Sequence, residues 1–379
     1  MIPVPFLDLA AQHAEVADEV RLGWEEVCAL TAFVGGPEVA GFEQEYADFL
    51  GTRHCVGVGN GTDALELAMR AVGVRPGGEV VIPANTFIAT AEAASRIGAT
   101  PVLVDVDEEY LLLDPDALER ALTPRTQAIV PVHLFGQTAP MERVLPIAEA
   151  AGVPVIEDAA QSQGARRQGR PAGSFGTVAA TSFYPGKNLG AAGDGGAVLT
   201  DDPEIARSVR LLSAHGSLTK YVHEVVGLNS RLDAVQAVVL RAKLARLEKW
   251  NDLRRQAADR YRELLDGLPG VRLPASAPGN EDVWHLYVVR IAGGERDRVL
   301  AELGEAGIGA GIHYPTAVHL TPAYAQLGLG PGSFPVAERA AGEILSLPMF
   351  PHLTAEQQER VADRLTHAVR PAGGPGGAA

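Results

Sequence analysis

Seven short apolar runs punctuate the chain between about residues 54 and 200: His54–Val58, Glu79–Pro83, Pro101–Val106, Gln127–Val132, Pro154–Asp158, Val178–Phe183 and Gly196–Thr200. Most are continuously apolar rather than alternating, which is the pattern of strands covered on both faces. Helical stretches lie between several of them, at Thr62–Ala71, Thr86–Arg96 and Met141–Ala151. Asp114-Pro115-Asp116 reads as a helix start, with Asp at the cap and Pro at the first helical position. The alternation predicts an α/β fold built on a largely parallel sheet wrapped by helices.

From 231 to about 265 the period changes. Leu232, Val235, Val239, Leu240, Leu244, Leu247, Trp250, Leu253, Ala257, Tyr261 and Leu264 recur at helical spacing with no Gly or Pro between them. This predicts one long or slightly broken helix, with Ser230 and Asp233 resembling a capping box with a shortened acid. Beyond Leu268-Pro269-Gly270 the chain reads as a small α+β unit. Trp284–Arg290 and Ile344–Phe350 are strand-like, Asp297–Ala306 and Ala355–His367 are amphipathic helices, and Thr354 with Gln357 forms a capping box. A length of 379 residues exceeds one ordinary core. The expected division is a large domain with an N-terminal arm over 1–250, a small α+β domain over 251–370, and a disordered Gly/Pro/Ala tail over 371–379.

Composition narrows the function. The hydrophobic fraction of 46% and charged fraction of 21% are those of a soluble globular protein, and the formal net charge of −15 argues against a nucleic-acid-binding face. Any anionic ligand must be met by a local device, such as a helix N-terminus or a few placed cations. Two cysteines, Cys28 and Cys55, lack metal-ligand spacing, so neither a disulfide framework nor a metal site is expected. Met1-Ile2-Pro3-Val4-Pro5 carries no basic region ahead of an apolar run, and no stretch approaches a membrane span, so the expected location is the cytoplasm.

Three segments at strand ends carry candidate chemistry, because ligands of parallel sheets bind beyond the carboxyl ends of the strands. Asn60-Gly61-Thr62-Asp63 follows the first run and opens a helix. Gly61 admits a close ligand, and the helix N-terminus suits a phosphate; the alternative is an ordinary turn with Thr62 as N-cap. Glu157-Asp158-Ala159-Ala160-Gln161 puts acids at the end of an apolar strand, with Glu157 and Asp158 on opposite faces. A buried carboxylate needs a cationic partner, and a protonated pyridine nitrogen is one; a helix-capping Asp is the other reading. Ser182-Phe183-Tyr184-Pro185-Gly186-Lys187-Asn188-Leu189-Gly190 places a lysine among glycines and aromatics. Partial desolvation there makes an amine a usable nucleophile and base, whereas a plain surface turn would leave it a solvated charge.

Together these segments supply the three grips that pyridoxal phosphate needs. With Gly59–Leu65 and Asn229-Ser230-Arg231-Leu232-Asp233 they resemble the DegT/DnrJ/EryC1/StrS sugar aminotransferases, of fold type I, and the resemblance runs from Val4 to about His367. It implies a mostly parallel seven-stranded sheet in the large domain. It also implies that Lys187 holds the cofactor through its ε-amine and shuttles a proton, that Asp158 pairs with the ring nitrogen and that Gln161 reaches the ring hydroxyl. By the same resemblance Gly61, Thr62 and Ser182 hold the phosphate and Phe87 stacks on the ring. The resemblance further implies that Asn229 completes the phosphate site of a neighbouring subunit, so that the enzyme would be a homodimer with shared active sites.

The lysine segment and Gly311-Ile312-His313-Tyr314-Pro315 are most similar to enzymes that aminate C3 of dTDP-3-keto-6-deoxyhexoses in deoxysugar and antibiotic biosynthesis, with L-glutamate as the expected donor. C4 amination of a dTDP-4-keto hexose or pentose is the runner-up. Candidates for the substrate pocket are Tyr184, Lys220, Tyr221, Arg231, His313 and Tyr314, with Arg231 and Lys220 as the cations that meet the sugar nucleotide. His313 reads equally as a packed strand histidine. Two rivals share the fold. A sugar 3-dehydratase carries histidine in place of the lysine, and a non-catalytic regulatory relative has no need of the Lys187, Asp158 and Gln161 set.

Overall fold

Residues 3–370 are described by the computed structural model, and the expected 371–379 tail lies outside them. All seven expected strands form: β1 (His54–Val58), β2 (Glu79–Pro83), β3 (Thr100–Val104), β4 (Thr126–Ile129), β5 (Ile156–Asp158), β6 (Val178–Ser182) and β7 (Gly196–Thr200). They lie side by side in the order β1-β7-β6-β5-β4-β2-β3. Parallel bridges Ile129↔Val155 and Val132↔Asp158 join the two halves between β4 and β5. Strand β7 alone runs against its neighbours, antiparallel to both β1 and β6. The others share one direction, so β1, β2, β5 and β6 all end on the same edge.

Apolar side chains explain the layering. Leu67 and Met69 of the Gly61–Ala71 helix are fully buried in one cluster with Val56, Val80, Ile82 and Ile156 of the sheet. The Ile88–Arg96 helix joins this cluster through Ala91, Ala93 and Ala94, small enough to let its backbone lie close to the strands. On the opposite face, Val144 and Ala148 of the Met141–Ala151 helix pack with Val81 and Ile129.

The 231–265 segment is slightly broken. Helix Ala234–Leu244 stops, Ala245 and Arg246 turn, and helix Leu247–Leu265 follows. The shortened capping box is absent: Asp233 precedes the first helix without a side-chain cap, and Ser230 Oγ instead accepts from Gly59 N at 3.0 Å. That bond ties the segment to the end of β1. At the C-terminal end, strand β8 (Tyr287–Ile291) pairs antiparallel with β9 (Ile344–Leu347) and with Val271–Arg272. The Thr354–Gln357 capping box is present in full at the Ala355–Ala368 helix. A helix at Pro335–Glu343 went unread in the sequence, although Pro335 at its first position is a start signal.

Strand alternation sorts the two acids of β5 as expected. Glu157 is fully buried beneath the sheet edge, where it meets His133 Nε2 at 2.7 Å and accepts from Gly173 N, Phe175 N and Gly176 N at 2.7, 2.6 and 2.6 Å. His133 Nδ1 accepts from Ala139 N, so its proton sits on Nε2 and is donated to Glu157. The His133 N–H also donates to Asp158 O at 3.0 Å, fixing the last residue of β5. Glu157→Leu strands three N–H groups, Gly173 N among buried neighbours, and is expected to cost about 3 kcal/mol, read as a lower midpoint in urea unfolding; Glu157→Gln, which keeps an acceptor, costs less.

Candidate active site

The sheet edge opens into a cleft of about 760 Å³ whose walls include all three chemistry-bearing segments. At one end the Gly61–Ala71 helix begins under an Asn60 cap, whose side chain accepts from Asp63 N at 2.8 Å. Asn60, not Thr62, is therefore the N-cap, and Thr62 is already inside the helix. The N–H groups of Gly61 and Thr62 have no partner within the helix and point out of its positive end. A Cβ on Gly61 would lie 2.6 Å from Ser182 Cβ, so only glycine lets the helix start sit against the end of β6. Ser182 Oγ accepts from Tyr184 N at 3.3 Å and keeps its own proton for another acceptor. Free amides, a hydroxyl and a tight approach make a cradle suited to a phosphate.

Asp158 stands at the other end, 5% exposed. Thr90 donates to its Oδ2 at 2.8 Å and Ala160 N to its Oδ1 at 3.2 Å, while Thr86 and Thr90 share a 2.8 Å hydroxyl contact. Burial pushes the Asp158 carboxyl up against these hydrogen bonds and the more distant charge of Lys187. Such a carboxylate gains strongly from an adjacent cation. Beside it, Gln161 accepts from Phe135 N at 2.7 Å and donates to the Tyr314 hydroxyl at 3.0 Å. Phe87 is half exposed into the cleft and lies 5.2 Å from the Tyr314 ring.

Lys187 is delivered by a turn in which its N–H bonds to Tyr184 O at 2.9 Å. Its side chain faces the cleft. Burial lowers its pKa to about 8 against the opposing pull of Asp158, so roughly one amine in ten is neutral at pH 7. Among the described residues no ion pair joins Lys187 to Asp158; the two charges act on each other across the cleft.

Of the residues singled out in the sequence, Gly61, Thr62, Phe87, Asp158 and Gln161 come together with Ser182, Tyr184, Lys187, His313 and Tyr314 in this cleft. His313 stacks on Phe6 of the N-terminal arm with ring centres 5.4 Å apart, and its Nδ1 meets Ser346 Oγ at 2.8 Å. Its pKa falls to about 4 through burial and the nearby Lys187. Lys220, Tyr221, Asn229 and Arg231 lie elsewhere, exposed on the chain's surface and outside the cleft lining.

Several cleft residues, Thr90, Arg96 and His285 among them, escaped sequence reading. Arg96 ends an alanine-rich helix and pairs with Asp63 at 3.0 Å and Glu66 at 2.9 Å, offsetting an acid in the first turn of the cradle helix. A lone cation among alanines was the available signal. His285 lines the cleft from the bend just ahead of β8 and carried no local signal at all.

A cleft of this make-up suits a phosphorylated, amine-capturing cofactor on an α/β sheet. The sequence pattern of the DegT/DnrJ/EryC1/StrS aminotransferase family matches residues 17–366, and the chain belongs to that family. It is 50% identical, over 94% of its length and 97% of the relative's, to the erythromycin biosynthesis sensory transduction protein EryC1 of Saccharopolyspora erythraea. It is 49% identical, over 95% of its length and 94% of the relative's, to dTDP-3-amino-3,4,6-trideoxy-alpha-D-glucose transaminase of Streptomyces venezuelae. Among solved structures, S. venezuelae DesV in complex with a ketimine intermediate superposes with a TM-score of 0.95 at 48% identity, covering 97% of this chain and 99% of that one. The fold is that of the fold type I aminotransferases, as the sequence implied.

Gly61→Ala is expected to drive the helix start away from Ser182 and to weaken pyridoxal phosphate binding at least ~10-fold in a fluorescence titration, the scale of one lost charge-assisted hydrogen bond. In a Ser182→Gly background, where the clashing Cβ is gone, the same change has a smaller effect.

Proposed function

We propose that this aminotransferase uses pyridoxal phosphate to load an amino group onto C3 of a nucleotide-linked keto-deoxysugar, with L-glutamate as donor. The observation that carries the reading is the desolvated Lys187 amine facing Asp158 across a cleft that ends in a phosphate cradle. Support for C3 and for a dTDP sugar comes from the name of the S. venezuelae transaminase, to which the chain is 49% identical.

When bound, the cofactor supplies an aldehyde that captures amines and a ring that stores the electron pair of a broken C–H bond. The chain's own residues do the rest. In this reading the Gly61 and Thr62 amides and Ser182 Oγ hold the phosphate, and Phe87 covers the ring. Asp158, already short of a cation, receives the ring N–H and keeps that nitrogen protonated. Gln161, fixed between Phe135 N and Tyr314, faces the ring hydroxyl. Lys187 holds the cofactor and, once its Nζ is free, lifts and returns the proton at the reacting carbon; a pKa near 8 suits both directions. His313, Tyr314 and Tyr184 line the side where a sugar enters.

The proposed working unit is a homodimer in the cytoplasm. Among the described residues no helix is long and apolar enough to cross a membrane. Tyr221 is 81% and Val226 95% exposed on the segment that also carries Lys220 and Asn229, an apolar projection suited to covering a second copy. In that arrangement Asn229 serves the partner's phosphate cradle, and Lys220, Tyr221 and Arg231 its sugar nucleotide. The division into a cofactor-binding part over 1–250 and a smaller part over 251–370 belongs to the same reading. It is supported by the separate apolar cluster that joins Val289, Leu345 and Leu365.

Lys187→Ala is expected to remove the cofactor's borohydride-sensitive yellow absorbance and to lower turnover by at least ~10²-fold. Retained turnover would sink the mechanism. Incubating the enzyme with 3-keto and 4-keto dTDP-sugars, with NMR of the product, should show amination at C3; amination at C4 alone would overturn the regiochemistry. Val226→Asp should shift the sedimenting species from dimer towards monomer and reduce activity in step.

A further inference from the structure

The phosphate cradle has an acid built into its first turn. Asp63 follows Gly61 and Thr62 in the Gly61–Ala71 helix and is 9% exposed. Its carboxylate suits the positive end of a helix, but it competes there with any anion that docks on the same N–H groups. The acid is nevertheless tied into the cap. Its Oδ2 accepts from Asn60 Nδ2 at 3.0 Å, which leaves Asn60 Oδ1 facing Asp63 N and accepting from it at 2.8 Å. An acceptor on Asp63 therefore holds the Asn60 amide in its capping orientation.

Arg96 meets that acid from a second helix. Its Nη1 donates to Asp63 Oδ1 at 3.0 Å, and its Nε lies 2.9 Å from Glu66 Oε2. Glu66, one residue short of a turn further along the cradle helix and 3% exposed, is shared with Arg70, whose Nε donates to Glu66 Oε1 at 2.8 Å. Two carboxylates and two guanidinium groups thus close a neutral network. Asp63 and Arg96 belong to the cleft lining, while Glu66 and Arg70 stand behind it. Arg96 also ends the Ile88–Arg96 helix, which begins directly after Phe87 and carries Thr90 against Asp158. Its ion pairs cross-tie that helix to the cradle.

We propose that Arg96 is a positioning residue for the cofactor's phosphate: acting through Asp63, it cancels the charge of the side chain that holds the Asn60 cap, so that the cradle can take a dianion. The inference rests on the reading of this helix start as a phosphate site. It divides two duties that one acid would otherwise bring into conflict. Asp63 supplies the acceptor that the cap requires, and Arg96 removes the repulsion that this acceptor would bring. Charges within one turn of a helix, about 5.4 Å of rise, lie inside the ~8 Å screening length of physiological salt, so solvent ions alone leave much of that repulsion in place.

Pyridoxal phosphate and pyridoxal differ only by the phosphate, and comparing them isolates its contribution. Each is titrated by fluorescence into the full chain freed of cofactor, and the wild type should bind pyridoxal phosphate the more tightly. Arg96→Gln should reduce that preference at least ~5-fold, by weakening pyridoxal phosphate more than pyridoxal. Arg96→Lys, which keeps a cation opposite Asp63, should retain most of it. Asp63→Asn, which keeps an acceptor for Asn60 and loses the charge, should restore the preference in the Arg96→Gln background. The gap between wild type and Arg96→Gln should also narrow in ~1 M salt, where the screening length falls to ~3 Å. An unchanged preference in Arg96→Gln, a loss shared equally by both ligands, or no rescue by Asp63→Asn overturns the role of Arg96 and leaves the cradle standing. A wild type that binds both ligands equally overturns the phosphate reading itself.

Discussion

Two opposite charges, Asp158 and Lys187, are held in one desolvated cleft without forming an ion pair, and the strand ends that carry them set that separation. A direct Asp158–Lys187 pair would be the simplest way to bury both groups. The fold prevents it by delivering the acid from the end of β5 and the amine from the turn after β6. Each is left destabilised in its charged form: the carboxyl is pushed up and the ammonium down to about 8. Thr90 and Ala160 N stabilise the carboxylate in part, and His133 with Glu157 fix its strand from below. Two neighbouring acids thus acquire different chemistry from strand alternation alone. Glu157 has four partners and is structural, while Asp158 has two and remains short of a cation.

The same architecture explains how a chain of net charge −15 can host an anion. Net charge governs the far field, whereas the cradle acts within a few ångströms through amide N–H groups and a helix end. Arg96 removes a local obstacle by pairing with Asp63 and Glu66 in the first turns of the cradle helix. A phosphate placed there would meet oriented dipoles and one neutralised acid, with no need of a cluster of lysines.

Legibility in the sequence followed distance along the chain. Strand positions, the cradle, the acid and the lysine were readable because each lies within a few residues of its own signal: an apolar run, a glycine, a strand end. Glu157 and Asp158 could be assigned to opposite faces because strand alternation is local. The details that failed depend on partners far away. Ser230 looked like a cap but is committed to Gly59, 171 positions distant. His285, which carried no signal, meets Asn188, 97 positions away, which in turn donates to Asn251, itself tied to Gln163. No periodicity encodes such a chain of amides. Asn60, not Thr62, is the cap because the helix begins one residue earlier than its apolar pattern, with the Asn60 side chain accepting from Asp63 N.

The relatives' names divide between transaminases and sensory proteins at nearly equal identity, 49% and 50%, so identity alone does not separate catalysis from regulation. The energetics of the cleft do. A fall in the Lys187 pKa from 10.5 to about 8 corresponds to about 3 kcal/mol of unfavourable burial of the ammonium form, a sizeable share of a protein's stability. A site built only to hold a ligand would improve by replacing that lysine with an apolar or neutral polar side chain. A chain that keeps the amine, desolvates it and sets an unpaired carboxylate opposite tolerates that destabilisation, and it gains a group able to bond covalently and move protons near neutral pH. Strain of this kind concentrates where chemistry is done, which is why the arrangement speaks for an enzyme.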